Sequence, residues 1–258
     1  MVGEVPVAPA PDAAALTDAG PCDPDAKPSP NAGLGPAPAG QAGCPPGMTA
    51  ISQGVAKAFC VDRWEAALQL QQGGAWVEHS PYWNPGALTV RAIARPGQVP
   101  QGYISGKQAQ VACQAAGKRL CTDAEWLRAC KGPAGTTYPY GANLQAKVCN
   151  DSRAQHPAIE YFGTAAQWIW SKLGHPCLNQ LPKSLAKTGA HPSCVAAEGA
   201  MDLMGNLHEW TADPAGTFRG GFYVDTKLNG PGCLYATTAH DTGHWDYSTG
   251  FRCCADKP

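Results

Sequence analysis

The chain has 258 residues, with 19 Lys+Arg against 20 Asp+Glu, a formal net charge of −1 and only 15% charged residues. That balance excludes a sequence-wide attraction to nucleic acid or to an anionic membrane. Its 30 glycines and 24 prolines argue against a helix bundle or coiled coil, and no apolar run approaches the roughly 20 residues of a membrane-spanning helix.

Residues 1–43 stand apart, because Pro, Ala and Gly make up 26 of those 43 positions. Such a segment buries too little apolar surface to offset its ordering entropy. It is expected to be a disordered, partly polyproline-II tether, suited to surface attachment, ahead of a folded domain at 44–258. Its first residues, Met1-Val2-Gly3-Glu4-Val5-Pro6, lack the basic start and apolar core of an export signal. A leader is therefore expected to have been trimmed, or replaced by the starting methionine. Residues 55–70 alternate apolar and polar side chains well enough for a strand. A turn-rich stretch follows around Pro81-Tyr82-Trp83-Asn84-Pro85-Gly86. The spacing predicts a helix from Ser105 to Gly117, with Ala109, Ala112, Cys113 and Ala116 on one face. Ser105 and Gln108 can form a capping box, and Gly117 is a natural stop. A second short helix begins at Thr122, boxed with Glu125, and puts Trp126, Ala129 and Cys130 on one face. Residues 131–258 read as loops and short strands, with no internal repeat.

Twelve cysteines lie at 22, 44, 60, 113, 121, 130, 149, 177, 194, 233, 253 and 254. There is no CxxC pair to suggest a zinc ribbon or a thioredoxin-type motif. An even number, widely scattered, points to disulfides in an oxidising compartment, secreted or extracytoplasmic (periplasm or cell surface). Buried free thiols in a cytosolic protein are the alternative. Cys44–Cys60 is the natural local pair.

Three stretches, taken in order, resemble one family. They are Ala116-Gly117-Lys118-Arg119-Leu120-Cys121-Thr122-Asp123-Ala124-Glu125-Trp126, then Met201-Asp202-Leu203-Met204-Gly205-Asn206-Leu207-His208-Glu209-Trp210-Thr211, then Phe218-Arg219-Gly220-Gly221 closed by Gly250-Phe251-Arg252-Cys253. The chain from about 44 to 258 is similar to the formylglycine-generating enzyme, or sulfatase-modifying factor, family. The resemblance implies a loop-rich α+β domain of C-type-lectin-like fold with few short helices and strands, stapled by disulfides. It implies export and bound calcium. Well-known members oxidise a sulfatase cysteine to formylglycine with oxygen and a copper ion held by two cysteines. The resemblance also implies Cys113–Cys253 and Cys130–Cys233, each contributing about 3–5 kcal/mol through the unfolded state. Cys121 is then available to Cys254. The pairing of Cys22, Cys149, Cys177 and Cys194 stays open.

Calcium takes six to eight hard oxygens, mixing carboxylates with carbonyls. The resemblance implies one site from the carboxylates of Asp202 and Glu209 and the carbonyls of Gly205 and Leu207. A tight turn with both acids solvated is the plainer reading of the same residues. A second site, after Tyr138-Pro139-Tyr140-Gly141, would use the Asn150 side chain and the Asp151 carbonyl. Copper is not expected. Counting from Arg219, the two catalytic cysteine positions hold Asp225 and Gly230, which cannot supply the thiolates that copper(I) needs.

Among the histidines, His240 and His244 have i,i+4 spacing, but Gly243 disfavours a helix there, so a turn holding two satisfied histidines is the expectation. His208 stands where the family carries tryptophan, and is open as a pocket residue, a packing substitute or a partner of Glu209. Trp64, Trp126, Trp168, Trp170 and Trp210 are expected in the core, while Trp83 and Trp245 suit a shallow groove. No nucleophile elbow, phosphate loop or dinucleotide fingerprint occurs. These readings point to a calcium-stabilised binding or structural domain with a peptide or glycan ligand and no formylglycine-generating activity. The alternative is an oxidoreductase of that family, non-haem metal dependent, with a divergent site at His208, His240 and His244.

Overall fold

The computed structural model describes residues 22–258. The elements are short and the loops long. In chain order they are β1 Met48–Ile51, β2 Phe59–Asp62, β3 Ala67–Gln72, β4 Ala75–Glu78, β5 Val90–Ile93, α1 Gly106–Ala115, β6 Arg119–Leu120, α2 Asp123–Lys131, α3 Pro157–Phe162, β7 His208–Trp210, β8 Phe218–Arg219, β9 Ala236–Thr237, β10 Thr249–Phe251 and β11 Cys253–Asp256. The domain is mixed α+β and loop-rich. The strand expected over 55–70 is two strands, because residues 63–66 break away between β2 and β3 to carry Arg63 and Glu65. Both helices begin where their capping boxes place them. The Ser105 side chain accepts from Gln108 N–H and the Thr122 side chain from Glu125 N–H, with both reciprocal bonds formed.

The C-terminal strand β11 closes the molecule. It pairs antiparallel with β2 on one side and β6 on the other, in a sheet ordered β1-β2-β11-β6. A second sheet runs β10-β7-β8-β9, with β10 and β7 parallel, and a third runs β4-β3-β5. The buried face of α1 (Ala109, Ala112, Cys113) packs with Leu68, Trp210 and Phe251, and α2 packs Trp126 and Ala129 against Val61 and Leu203.

Six disulfides tie this together: Cys22–Cys177, Cys44–Cys60, Cys113–Cys253, Cys121–Cys254, Cys130–Cys233 and Cys149–Cys194. Successive strand residues point to opposite faces, so Cys253 reaches α1 while Cys254 reaches the loop before α2. Both faces of β11 are thereby stapled.

Two expectations need correcting. Of the tether expected over 1–43, residues 1–21 lie outside the described residues, but 22–43 are docked without helix or strand. Asn31 is fully buried, donating to Val99 O at 2.9 Å and accepting from Val99 N–H at 2.7 Å. Arg95 donates to Gly35 O, Trp83 Nε1 donates to Ala26 O, and Cys22 is bonded to Cys177. Side-chain hydrogen bonds to backbone groups replace the missing hydrophobic anchors. Second, Trp64, Trp126 and Trp210 are core residues, but Trp168 and Trp170 are 52% and 38% exposed. They sit on a 3-10 turn, Gln167–Ser171, whose buried residue is Ile169 between them.

Replacing Asn31 leaves a buried Val99 N–H and C=O without partners. Asn31→Ala is expected to lower unfolding stability by about 2 kcal/mol, read as a lower denaturant midpoint at unchanged slope. An unchanged midpoint would show that the Asn31 bonds to Val99 add nothing to the fold.

Candidate functional site

The loop from Met201 to Leu207 enters β7 through two left-handed residues, Asp202 and Asn206, at φ 59° and 57°. Asp and Asn are among the few non-glycine residues that visit this region, and here each is held by bonds to distant segments, Asp202 to Gly189 and Asn206 to Glu65 and Ala186. Gly205 lies between them at φ 77°, and a Cβ there would collide with the Asn150 carbonyl, so this loop and the 149–151 corner touch backbone to backbone.

Beneath the loop lies a buried ionic cluster. Arg252 is completely buried; its Nε and Nη2 donate to the two carboxylate oxygens of Glu209 at 2.6 Å each, Nη1 to Asp62 O and Nη2 also to Met201 O. Glu209 Oε2 also accepts from Trp126 Nε1 at 2.6 Å. Glu65, also fully buried, accepts from Leu207 N–H and Asn206 Nδ2. Asp202 accepts from Gly189 N–H at 2.8 Å. Three carboxylates thus face one guanidinium. Burial, and then the neighbouring charges of Asp202 and Glu209, push the Glu65 carboxyl well above its usual range. Burial likewise pushes Asp202 up to about 6, against the Gly189 hydrogen bond.

Glu209 does not fit the calcium role as it stands, since both its oxygens are taken by Arg252 and Trp126. Asp202 is close enough to share the Arg252 field but bonds Gly189 instead. Among the described residues no group of three or more His, Cys, Asp or Glu side chains is arranged to hold a metal ion. At the 149–151 corner, Asp151 Oδ1 is buried with no hydrogen-bond partner, and burial raises the pKa of the Asp151 carboxyl. Its other oxygen lies 3.5 Å from Thr226 Oγ1. Asn150 spends its Nδ2 on Ser184 O and Asn206 Oδ1.

The loop after Arg219-Gly220-Gly221 carries none of the thiols of copper chemistry. Arg219 is held by Asp123 of α2, which anchors the loop to that helix. Asp225 accepts from the N–H groups of Lys227 and Leu228, at 3.0 and 3.1 Å, and so acts as a turn former. Cys233, on the 3-10 turn Gly232–Leu234, is bonded to Cys130. None of the twelve cysteines is free, so no thiolate pair is available at this loop.

His208, first residue of β7, is packed among Phe218, Phe222 and Tyr235 at ring-centroid distances of 4.7, 4.8 and 5.4 Å. Its ring makes no hydrogen bond to Glu209, whose oxygens accept from Arg252 and Trp126. Burial lowers its pKa to about 4, and its Nδ1 has no partner. His240 and His244 stack face to face, 3.6 Å apart and 10° from parallel. The in-plane lone pairs of parallel rings do not converge on one ion. His244 Nε2 lies 3.1 Å from Asp246 Oδ2 instead. Burial opposes ionisation of Asp246, but the bonds from His244 and Ser248 outweigh it and hold its carboxyl below the usual range.

Sequence reasoning quoted Arg252 without a role and missed Glu65 and Asp246. Glu65 had no signal beyond an acid amid apolar residues; the Gly250-Phe251-Arg252-Cys253 stretch was the available pointer to Arg252.

A model of the Sulfatase-modifying factor enzyme 1-like domain matches residues 57–257. Among curated proteins, the mouse (Mus musculus) "Inactive C-alpha-formylglycine-generating enzyme 2" is 27% identical over 153 residues, 56% of this chain and 44% of the relative. "Hercynine oxygenase" of Mycobacterium tuberculosis (strain ATCC 25618 / H37Rv) is 26% identical over 141 residues, 52% of this chain and 27% of the relative. The chain thus spans less than half the length of these relatives. Among solved structures, PvdO from Pseudomonas aeruginosa has 15% identity and a TM-score of 0.46, covering 78% of this chain and 81% of its own. The Major Tropism Determinant I1 variant has 12% identity and a TM-score of 0.44, covering 83% and 53%. Likenesses at these scores carry no functional argument.

The crowding of carboxylates makes a signed prediction in metal-free buffer. A carboxyl whose folded pKa is raised destabilises the fold when ionised, and the cost disappears as pH falls through the folded value of about 6. Asp202→Asn keeps the acceptor for Gly189 and tolerates the positive φ. It is expected to stabilise the protein by about 1–3 kcal/mol at pH 8, with the gain vanishing toward pH 4. Thermal melts of both proteins across that range check it; a variant less stable at pH 8 contradicts it.

Proposed function

Because the chain belongs to the Sulfatase-modifying factor enzyme 1-like domain family, we propose that it is an exported member that acts in binding or as structure and does not generate formylglycine. One observation carries this reading: all twelve cysteines are consumed in six bridges. Formylglycine chemistry needs copper(I) on two thiolates, and a disulfide sulfur is not a thiolate. Asp225 and Gly230, at the catalytic positions, supply no soft ligand. The mouse relative named as inactive is consistent with a scaffold that outlasts its chemistry. The density of disulfides supports an oxidising location, the periplasm, the cell surface or the medium. The ligand in this reading is a peptide or glycan, met by the loop that follows Arg219-Gly220-Gly221, where Leu228 is 84% exposed.

Calcium belongs in this reading at the 149–151 corner, where the buried, unpartnered Asp151 Oδ1 would gain a counter-charge. At Asp202 and Glu209 an ion would first have to displace Arg252. The hercynine oxygenases among the relatives motivate a second reading, an oxidoreductase with other metal ligands. The parallel stacking of His240 and His244 weighs against it.

Incubation with copper(I), oxygen and a sulfatase-type cysteine peptide is expected to leave the peptide mass unchanged. Catalytic appearance of the aldehyde would overturn the reading. For the metal, about 1 mM calcium is expected to raise the melting temperature of the wild type and not of Asp151→Asn. An equal rise in both would move the ion elsewhere, and no rise in the wild type would remove it.

A further inference from the structure

Two histidines make the same unusual contact on either side of the aromatic cluster. His156 caps α3: its Nδ1 accepts the Ala158 N–H at 3.2 Å, and its Nε2 lies 2.7 Å from Tyr247 Oη. His175 Nδ1 accepts the Cys177 N–H at 3.3 Å, and its Nε2 lies 3.5 Å from Tyr161 Oη. A backbone N–H can only donate, so each Nδ1 must present a bare lone pair. The single ring proton of each therefore sits on Nε2, facing a tyrosine oxygen. An imidazolium carries N–H on both nitrogens and would set N–H against N–H at Ala158 and at Cys177.

These two contacts bracket one stretch of chain. Between them lie α3, the 3-10 turn with half-exposed Trp168 and Trp170, and the approach to Cys177. The rings are interlocked: His156 meets Trp170 edge-on at 4.8 Å, Phe162 meets Trp168 at 5.2 Å, and His175 meets Tyr161 at 4.5 Å. We propose that His156 and His175 form a paired acid-sensitive latch, in which protonation at Nδ1 loosens residues 156–178, with Trp168 and Trp170, against the domain, while the Cys22–Cys177 bridge keeps the stretch covalently attached.

The surroundings of the two rings favour the neutral form. Facing His156 are Tyr247, Trp170, the carboxylate of Asp246, which favours the proton, and the guanidinium of Arg153, which disfavours it and is paired to Glu160 at 2.6 Å. Facing His175 are the Tyr161 phenol and the Phe162 ring, while the Tyr103 hydroxyl donates to the His175 carbonyl. Burial lowers both pKa values below the ordinary 6.5. A histidine with a depressed folded pKa stabilises the fold above its unfolded pKa and loses that contribution as pH falls below it. Asp202 changes stability in the opposite sense over the same range, so the test has to be local.

Imidazole 15N shifts at pH 7.5 are expected to show both rings as the Nε2–H tautomer; an Nδ1–H tautomer at either would overturn the latch. Hydrogen-exchange protection at the Ala158 and Cys177 amides, corrected for intrinsic pH dependence, is expected to fall roughly tenfold or more from pH 7 to pH 5, relative to amides of β2. In the double variant His156→Asn with His175→Asn, each amide keeps an acceptor that does not titrate, and protection is expected to stay flat. An equal fall in both proteins, or no fall in the wild type, rules the proposal out. Should the variant fail to fold, the wild-type tautomers and their titration decide.

Discussion

A single buried guanidinium ties together parts of the chain that share no regular element. Arg252 draws Glu209 of β7, the Asp62 carbonyl at the end of β2 and the Met201 carbonyl of the preceding loop onto its donors. Removing one partner of a fully buried pair typically costs about 3–5 kcal/mol, because the other charge is left uncompensated. Here the cost is compounded, since Glu65 and Asp202 would then face Glu209 with nothing between them. The loop of Asp202 and Asn206 holds its left-handed turns over this charge cluster, and Glu65, within the cluster, fastens it through Leu207 and Asn206.

The disulfides do the rest of what long helices and wide sheets do elsewhere. β11 runs next to Arg252, and its two cysteines clamp α1 and the loop ahead of α2. Cys130–Cys233 holds α2 against the loop that follows Arg219-Gly220-Gly221, and Arg219–Asp123 repeats that link as an ion pair. The same cysteine that fixes this loop is thereby withdrawn from any metal. Structural stapling and thiolate chemistry compete for one residue type, and in this chain the staples take every cysteine.

The region around the loop that follows Arg219-Gly220-Gly221 is packed with aromatic rings. His208 occupies aromatic space among Phe218, Phe222 and Tyr235, and Asp225 caps its own turn. The surface that projects outward lies elsewhere. Trp168, Trp170 and Trp245 are each between 38% and 52% exposed, and Gly174 lies against the Trp245 ring. Their scaffold is the short helix α3 and a 3-10 turn, elements too brief to stand without the ring contacts around them.

Local rules carried the sequence a long way. Both capping boxes need only residues three apart, so Ser105 with Gln108 and Thr122 with Glu125 were legible, as were the helices they start. Extended structure within 55–70 was legible too, but the break between β2 and β3 was not, and all four β2 residues are buried where alternation was expected. Composition marked residues 22–43 as poor in apolar side chains, and they are. It could not show that Asn31 would find the Val99 peptide, since hydrogen bonds between distant segments leave no periodic trace. The order of the three motifs identified the family and its loop-rich scaffold. Only the tertiary structure decided that Glu209 faces an arginine, that Trp168 and Trp170 turn outward, and that Cys22 reaches Cys177. Each of these is set by which surfaces meet when the loops close, and a sequence records the side chains without recording that closure.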